Sequence, residues 1–396
     1  MNAGWRNPGK GHPVTRRNLV AAACAMALAP AVSERHPARR TPVIDVTDLY
    51  HPPQDPGDNL DLIAAYALPE IDLRAVVLDI HEPYRRPGDP AQHPAYRDPL
   101  GPRDPGFITV EQLNYVFDRN VPAGCAPFRR MRSLTDTMED APRFQQRGVE
   151  LMLKVLAESR ERVEIVSFGS ARPIAVACNR RPNLMRRKVA RVHLCAGSAP
   201  AGYLEWNVML DPLAMVRVLQ ADVPVAVYPC ATDKGPFDYG PNNTFWLLSD
   251  LGFVRRMDPR LQNYVAYAFE RMQRPDSFGY LDGPPDAQAL DRVCGRPHNV
   301  WETCVWMEVA RRALVRRPDG AYRIIPRNAI RPGDVVMPNE LRPVTIEAEI
   351  TGQFTATPTR GRTNRRLYYR GDARANETAL REAMPELYAG FRCARS

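Results

Sequence analysis

Five aspartates crowd one short stretch of this chain. Asp45, Asp48, Asp55, Asp58 and Asp61 fall within 17 residues, DVTDLYHPPQDPGDNLD. Carboxylates held close together raise one another's pKa, and a hard divalent cation relieves that repulsion. An all-oxygen donor set suits Ca2+ or Mg2+, with Ca2+ the first choice here. Taken singly, each Asp serves equally well as a turn former or helix cap. The density of acids behind a strand is what points to a cation. Other acid-rich motifs do not fit. Gly57 is not at the position an EF-hand loop requires. The spacing Asp45-x-x-Asp48 is not the Asp-x-Asp of aspartyl-phosphate chemistry. No glycine-rich loop follows the strand, which removes the P-loop and dinucleotide readings.

These acids need elements to position them. The apolar run Pro42–Val46 predicts a buried strand with Asp48 at its carboxyl end. Residues 59–68 read as a helix and 71–78 as a second strand, a β-loop-α-β unit with parallel strands. Asp58 sits at or just before that helix, where exposed backbone N–H groups favour an anion. Further strands are predicted at 163–168, 188–195 and 223–228. Helices at 109–119, 147–160, 171–179 and 212–219 alternate with them. The pattern predicts an α/β fold, an open, mostly parallel sheet flanked by helices. In such a sheet the carboxyl ends of the strands face the ligand crevice. Later helices are predicted at 244–251, 261–272 and 300–314. Residues 343–369 read as a small antiparallel β element near the C-terminus, with a closing helix at 380–391.

A second polar group lies at Glu205-Trp206-Asn207, followed by Asp211-Pro212. A carboxylate accepts from hydroxyls and an amide both donates and accepts, which suits a sugar. The same residues also make ordinary loop and cap contacts. Asp211-Pro212 reads as a helix cap and opener, and Trp206 as core or pocket wall. His298 taken alone reads as a satisfied surface or core histidine. His51, His81 and Glu82 are further pocket candidates.

Together, VIDVTD, DPGDNLDLIAAYALPEIDLRAVVLD, VEIVSFGSARPIAVAC and EWNVMLDP resemble the inosine/uridine-preferring nucleoside hydrolase family, as a divergent exported branch. The resemblance implies metal-dependent hydrolysis of the N-glycosidic bond of a ribonucleoside or related N-riboside. It implies Asp48 as the catalytic base and a metal ligand. Asp58, Asp55, the backbone carbonyl of Arg172 and Glu302 are the other implied ligands. Asp61, Glu205, Asn207, Trp206, His298 and Asn299 are the implied substrate contacts. The sequence departs from the family pattern in the LYHPPQDP insertion, in Gly57 where an Asp is usual, and in Ala199 where an Asn is usual. The late His-Asp pair is represented only by His298-Asn299, with Glu302 one turn on. Two rival readings stand beside hydrolysis of a nucleoside: a metal-dependent sugar- or nucleoside-binding protein that has lost catalysis, and a hydrolase of a different glycoside.

Composition bounds the rest. The chain has 396 residues, 44% hydrophobic and 25% charged, which is globular and excludes a largely disordered or fibrous chain. Its net charge of +9 rests on arginines spread along the whole chain. A nucleic-acid partner would need them gathered on one face, and none is expected. Arg16-Arg17 ahead of LVAAACAMALAPA resembles a twin-arginine export signal. The expectation is residues 1–40 as signal and disordered N-terminus, a bacterial periplasmic location, and no membrane attachment after signal removal. Residues 41–396 are expected as one nucleoside-hydrolase-like domain, with 331–396 a β-ribbon plus helix extension and a homo-oligomer as an option. Cys294 and Cys304 are spaced to pair in an oxidising compartment or to remain buried thiols.

Overall fold

The computed structural model describes residues 40–49, 56–81, 106–270 and 276–394. The predicted export signal, His51, Asp55 and Glu82 lie outside the described residues.

The chain opens as expected with β1 (Thr41–Thr47), α1 (Pro56–Ala67) and β2 (Ile71–Leu78), followed by α2 (Gly106–Phe117) and β3 (Ala123–Cys125). Next come α3 (Arg143–Glu158), β4 (Val163–Ser167), α4 (Arg172–Arg180), α5 (Pro182–Lys188) and β5 (Val189–Cys195). After these come α6 (Trp206–Leu210), α7 (Pro212–Leu219), β6 (Val225–Tyr228) and β7 (Trp246–Leu248). Helices α8 (Pro259–Phe269), α9 (Ser277–Asp282) and α10 (Ala287–Cys294) lead to β8 (His298–Val300) and α11 (Thr303–Val309). The remainder is β9 (Arg312–Arg316), β10 (Tyr322–Pro326), β11 (Val335–Val336), β12 (Glu340–Ala348), β13 (Phe354–Pro358), β14 (Arg365–Tyr369) and α12 (Ala373–Ala389).

Nine strands form one sheet in the order β13-β12-β14-β6-β5-β4-β1-β2-β3. From β3 to β14 every pairing is parallel, and β12 and β13 add an antiparallel margin. The predicted open, mostly parallel sheet is therefore present. The C-terminal strands join its edge, because β14 pairs with β6 in parallel, Arg365 opposite Val225. A three-stranded sheet (β10-β9-β11) and the pair β7-β8 lie apart from it.

Alternation within β1 serves two cores. Val43 packs into the layer with α1, α2 and α8, while Ile44 and Val46 pack into the layer with α3, α4 and α7. Both faces are covered, as a parallel sheet requires. The strand order reverses beside β1, since β2 and β3 lie on one side and β4 to β6 on the other. Such a switch point opens a crevice at the carboxyl ends of the two central strands.

Two helix predictions fail. Residues 244–251 contain the strand β7, paired antiparallel with β8. Residues 300–314 divide into the end of β8, the seven-residue α11 and the strand β9. Short apolar runs carry no decisive period, and tertiary pairing settles them. All seven described cysteines are free thiols, so Cys294 and Cys304 are not joined. No helix among the described residues is long and apolar enough to cross a membrane.

Asp45 is the anomaly of β1. It is 1% exposed, and neither carboxyl oxygen has a hydrogen-bond partner among the described residues. Burial pushes its pKa up to about 8. From the ordinary carboxylate range up to about pH 8, the folded chain keeps a proton that the unfolded chain has released, so stability falls as pH rises. Asp45→Asn removes this loss. In urea unfolding at pH 5 and pH 8, the variant is expected to lose less stability between the two pH values than the wild type.

Candidate functional site

The local sequence of α1 sets the first part of the site. Asp58 lies in its first turn, at the positive end of the helix dipole. Asp61 follows three residues later, so both carboxylates share one face of the helix. Their residues are 3% exposed. The third member comes from the far end of the chain. Glu302 is the residue before α11, it is 5% exposed, and α11 packs directly against α1. Carboxylate oxygens of Asp58, Asp61 and Glu302 lie within 4.8 Å of one another.

Three buried acids in that space form a dry, all-oxygen donor set. Burying like charges together is costly unless a proton or a cation compensates. A hard divalent ion such as Ca2+ or Mg2+ fits these donors, whereas a soft metal prefers thiolate or imidazole.

Asp48 stands one residue beyond β1, 4% exposed, at the switch point. It lies against the loop after β4. A Cβ on Gly169 would come 3.1 Å from the Asp48 Cβ, so glycine lets the two loops meet. Asp48 is not one of the three acids that share the 4.8 Å cluster. The fold groups Asp58 with Asp61 and Glu302. Asp55 lies outside the described residues.

Arg172 opens α4 beside this loop, but its side chain has a role the sequence did not suggest. It is fully buried and ion-paired with Asp79, and its Nη1 meets the His81 Nδ1 at 2.8 Å. Asp79 also accepts from the Ser170 hydroxyl at 2.6 Å and the Ser170 backbone N–H at 3.1 Å. Burial pushes Asp79 up, and the Arg172 guanidinium, His81 and the Ser170 hydroxyl together more than offset this, leaving its pKa below the ordinary value. Burial, and next Arg172, lower His81 to about 4, so it is neutral near pH 7. His81 therefore belongs to a pin between the loops after β2 and β4.

Glu205 and Asn207 follow β5. Glu205 caps α6, accepting from the backbone N–H of Asn207 at 3.0 Å and Val208 at 3.3 Å, and from Gly197 at 2.8 Å. Burial raises its pKa to about 7 despite these bonds. The Asn207 amide donates to the Cys195 carbonyl at 2.8 Å and the Phe168 carbonyl at 3.4 Å. The capping role is thus filled in the fold. Asp211 caps α7 and also accepts from the Met131 N–H at 2.9 Å. Trp206 opens α6 half-buried. His298 lies on β8 against Phe269, ring centroids 6.0 Å apart, and burial lowers its pKa. Asn299 pairs with Leu247 across β7.

Trp301 is not among the site residues expected from the sequence. Its backbone N–H donates to Glu302 at 2.9 Å, and its indole N–H to the Cys230 carbonyl at 2.8 Å. Phe245 and Phe237 lie 5.5 and 6.0 Å from its ring, and Phe237 is 59% exposed. Buried Arg370, just past β14, fixes the loop bearing Phe245. It donates to the Phe245 carbonyl at 2.6 Å and the Gly240 carbonyl at 3.1 Å. The available sequence signal was an aromatic residue directly before an acid.

No protein-family model matches the chain. Part of it is 38% identical over 84 residues to the pyrimidine-specific ribonucleoside hydrolase RihA of Enterobacter sp. (strain 638), covering 20% of this chain and 26% of that protein. It is 29% identical over 193 residues to RihA of Escherichia coli O81 (strain ED1a), covering 44% of this chain and 57% of that protein. The chain thus spans about a quarter of the first relative and just over half of the second. The resemblance to nucleoside hydrolases read in the sequence is borne out. Among solved structures, the inosine-uridine preferring nucleoside hydrolase of Bacillus anthracis aligns over 88% of this chain and 99% of that one, at 12% identity and TM-score 0.45. The plant nucleoside hydrolase PpNRh1 aligns over 86% and 98%, at 12% identity and TM-score 0.48.

Arg172→Leu removes the guanidinium from the buried Asp79 carboxylate and leaves it only the Ser170 and His81 contacts. Urea unfolding is expected to show a loss of about 3–5 kcal/mol. Adding Asp79→Asn to that variant should recover part of the loss.

Proposed function

We propose that the protein hydrolyses the N-glycosidic bond of a ribonucleoside or related N-riboside, releasing base and ribose, with a bound divalent cation, Ca2+ foremost. The observation that carries this reading is the convergence of Asp58, Asp61 and Glu302 beside the switch point of a parallel sheet. The curated relatives named as ribonucleoside hydrolases support it.

In this reading Asp58, Asp61 and Glu302 would hold the ion, which would supply a water of lowered pKa and a positive charge for sugar hydroxyls. Asp48, at the end of β1, receives the proton of the attacking water. As the glycosidic bond breaks, positive charge grows on the sugar ring, and the surrounding carboxylates stabilise it. Trp301, with Phe245 and the exposed Phe237, offers the departing base an aromatic face beside Glu302. The Arg172–Asp79–His81 pin holds the loops that border Asp48, and Arg370 holds the aromatic loop. Export to the periplasm is part of the same proposal and rests on Arg16-Arg17 and the apolar run behind them.

A second reading, binding without catalysis, draws on one observation. Glu205 and the Asn207 amide nitrogen already serve backbone groups. Saturable nucleoside binding without sugar release would favour that reading.

The test is release of ribose from inosine, uridine and other nucleosides by the full chain with Ca2+. Chelation is expected to abolish release and calcium to restore it. Asp58→Asn, Asp61→Asn and Glu302→Gln should each lower the rate by roughly 10²-fold or more. Calcium should raise the Tm of the wild type, and much less that of each variant. A calcium-independent Tm with undiminished activity in all three variants would overturn the assignment.

A further inference from the structure

Cys195 ends β5, and Cys230 stands two residues past β6, the neighbouring parallel strand. Their sulfurs are 3.5 Å apart, in side chains 1% and 6% exposed. Hydrolysis as described above uses neither thiol. Both, however, sit at backbone positions that anchor the site. The Asn207 amide is bound to the Cys195 carbonyl, and the Trp301 indole to the Cys230 carbonyl, each at 2.8 Å. The two chain segments are already drawn together here. The backbone N–H groups of Cys230 and Ala231 both donate to the Gly197 carbonyl, at 2.9 and 3.1 Å.

A disulfide needs a sulfur separation of about 2.05 Å; because Cys195 lies opposite Tyr228 in the register and Cys230 two residues further on, closing the 3.5 Å sulfur contact takes side-chain rotation together with a shift of the loop after β6. We propose that Cys195 and Cys230 are a dithiol that closes to a disulfide in an oxidising thiol–disulfide environment, clamping the loops after β5 and β6 at the rim of the acidic site.

The co-reactant is a low-molecular-weight disulfide. The thiolate of Cys230, the more exposed of the two, attacks one of its sulfurs and expels one small thiol. The thiolate of Cys195 then displaces the second from the mixed disulfide. Two protein S–H bonds and the small S–S bond break. One protein S–S bond forms, and both protons and both electrons leave on the two small thiols. Burial pushes the Cys195 thiol far up and Cys230 up to about 12, so closure on the finished fold is slow and occurs chiefly during folding. Cys304, the other buried thiol nearby, points its sulfur at the Trp301 carbonyl, 3.8 Å away.

The experiment refolds the full chain in a mixture of oxidised and reduced glutathione, blocks residual thiols with iodoacetamide and maps the peptides by mass. The expected product joins the Cys195 and Cys230 peptides with the loss of two hydrogens. Its Tm should lie a few degrees above that of the reduced protein. Cys195→Ala and Cys230→Ala should each abolish the link, and Cys304→Ala should keep it. The wild-type peptide map decides the matter even where an alanine variant fails to fold. Both cysteines fully alkylated, or either joined to Cys304, overturns the proposal. The outcome is independent of whether the protein releases ribose.

Discussion

Everything at the functional end of this molecule depends on holding several carboxylates together away from water. Asp58, Asp61 and Glu302 are each almost fully buried, with one carboxylate oxygen of each within 4.8 Å of the others. A folded chain tolerates such an arrangement only if a positive charge or a proton compensates. The first turn of α1 supplies part of that through its dipole, and a divalent cation would supply the rest. Asp45, alone on β1, shows the other solution. It has no hydrogen-bond partner among the described residues, and burial pushes its carboxyl towards the neutral form.

The sheet provides the place for these charges. Where the strand order reverses beside β1, the connections leave in opposite directions and a crevice opens between them. Buried arginines stiffen its walls. Arg172 binds Asp79 and His81 across two loops, and Arg370 gathers the carbonyls of the loop that bears Phe245. A guanidinium suits this work because its fixed fork of donors can satisfy several acceptors at once. The same chain region that extends the sheet edge, β14, thereby also reaches the aromatic side of the site.

Several parts of the fold were legible before any coordinates. The unit β1-α1-β2, the strands β4, β5 and β6 and the helices α3, α4 and α7 all show in uninterrupted apolar runs and helical spacing. The misreadings share one cause. Residues 244–251 and 300–314 are short apolar stretches whose period suits a helix as well as a strand, and cross-strand pairing of Trp246 with Val300 decides them. The resemblance implies Asp61 as a substrate contact, although its three-residue spacing from Asp58 on one helix puts both carboxylates on the same face. The pairing of Arg172 with Asp79 is not visible, because more than ninety residues separate them.

The parallel sheet, the acid-rich stretch after its first strand and the nucleoside-hydrolase resemblance all rest on local pattern and were readable from the residues alone. Tertiary structure decided which acids meet. Glu302 is more than two hundred residues from Asp58, and only the packing of α11 on α1 brings the two together. It also turned Glu205 into a helix cap and brought Cys195 against Cys230. Spacing along a chain governs neighbours on one element, but contacts between elements are set by how their buried faces fit, and no local pattern records that.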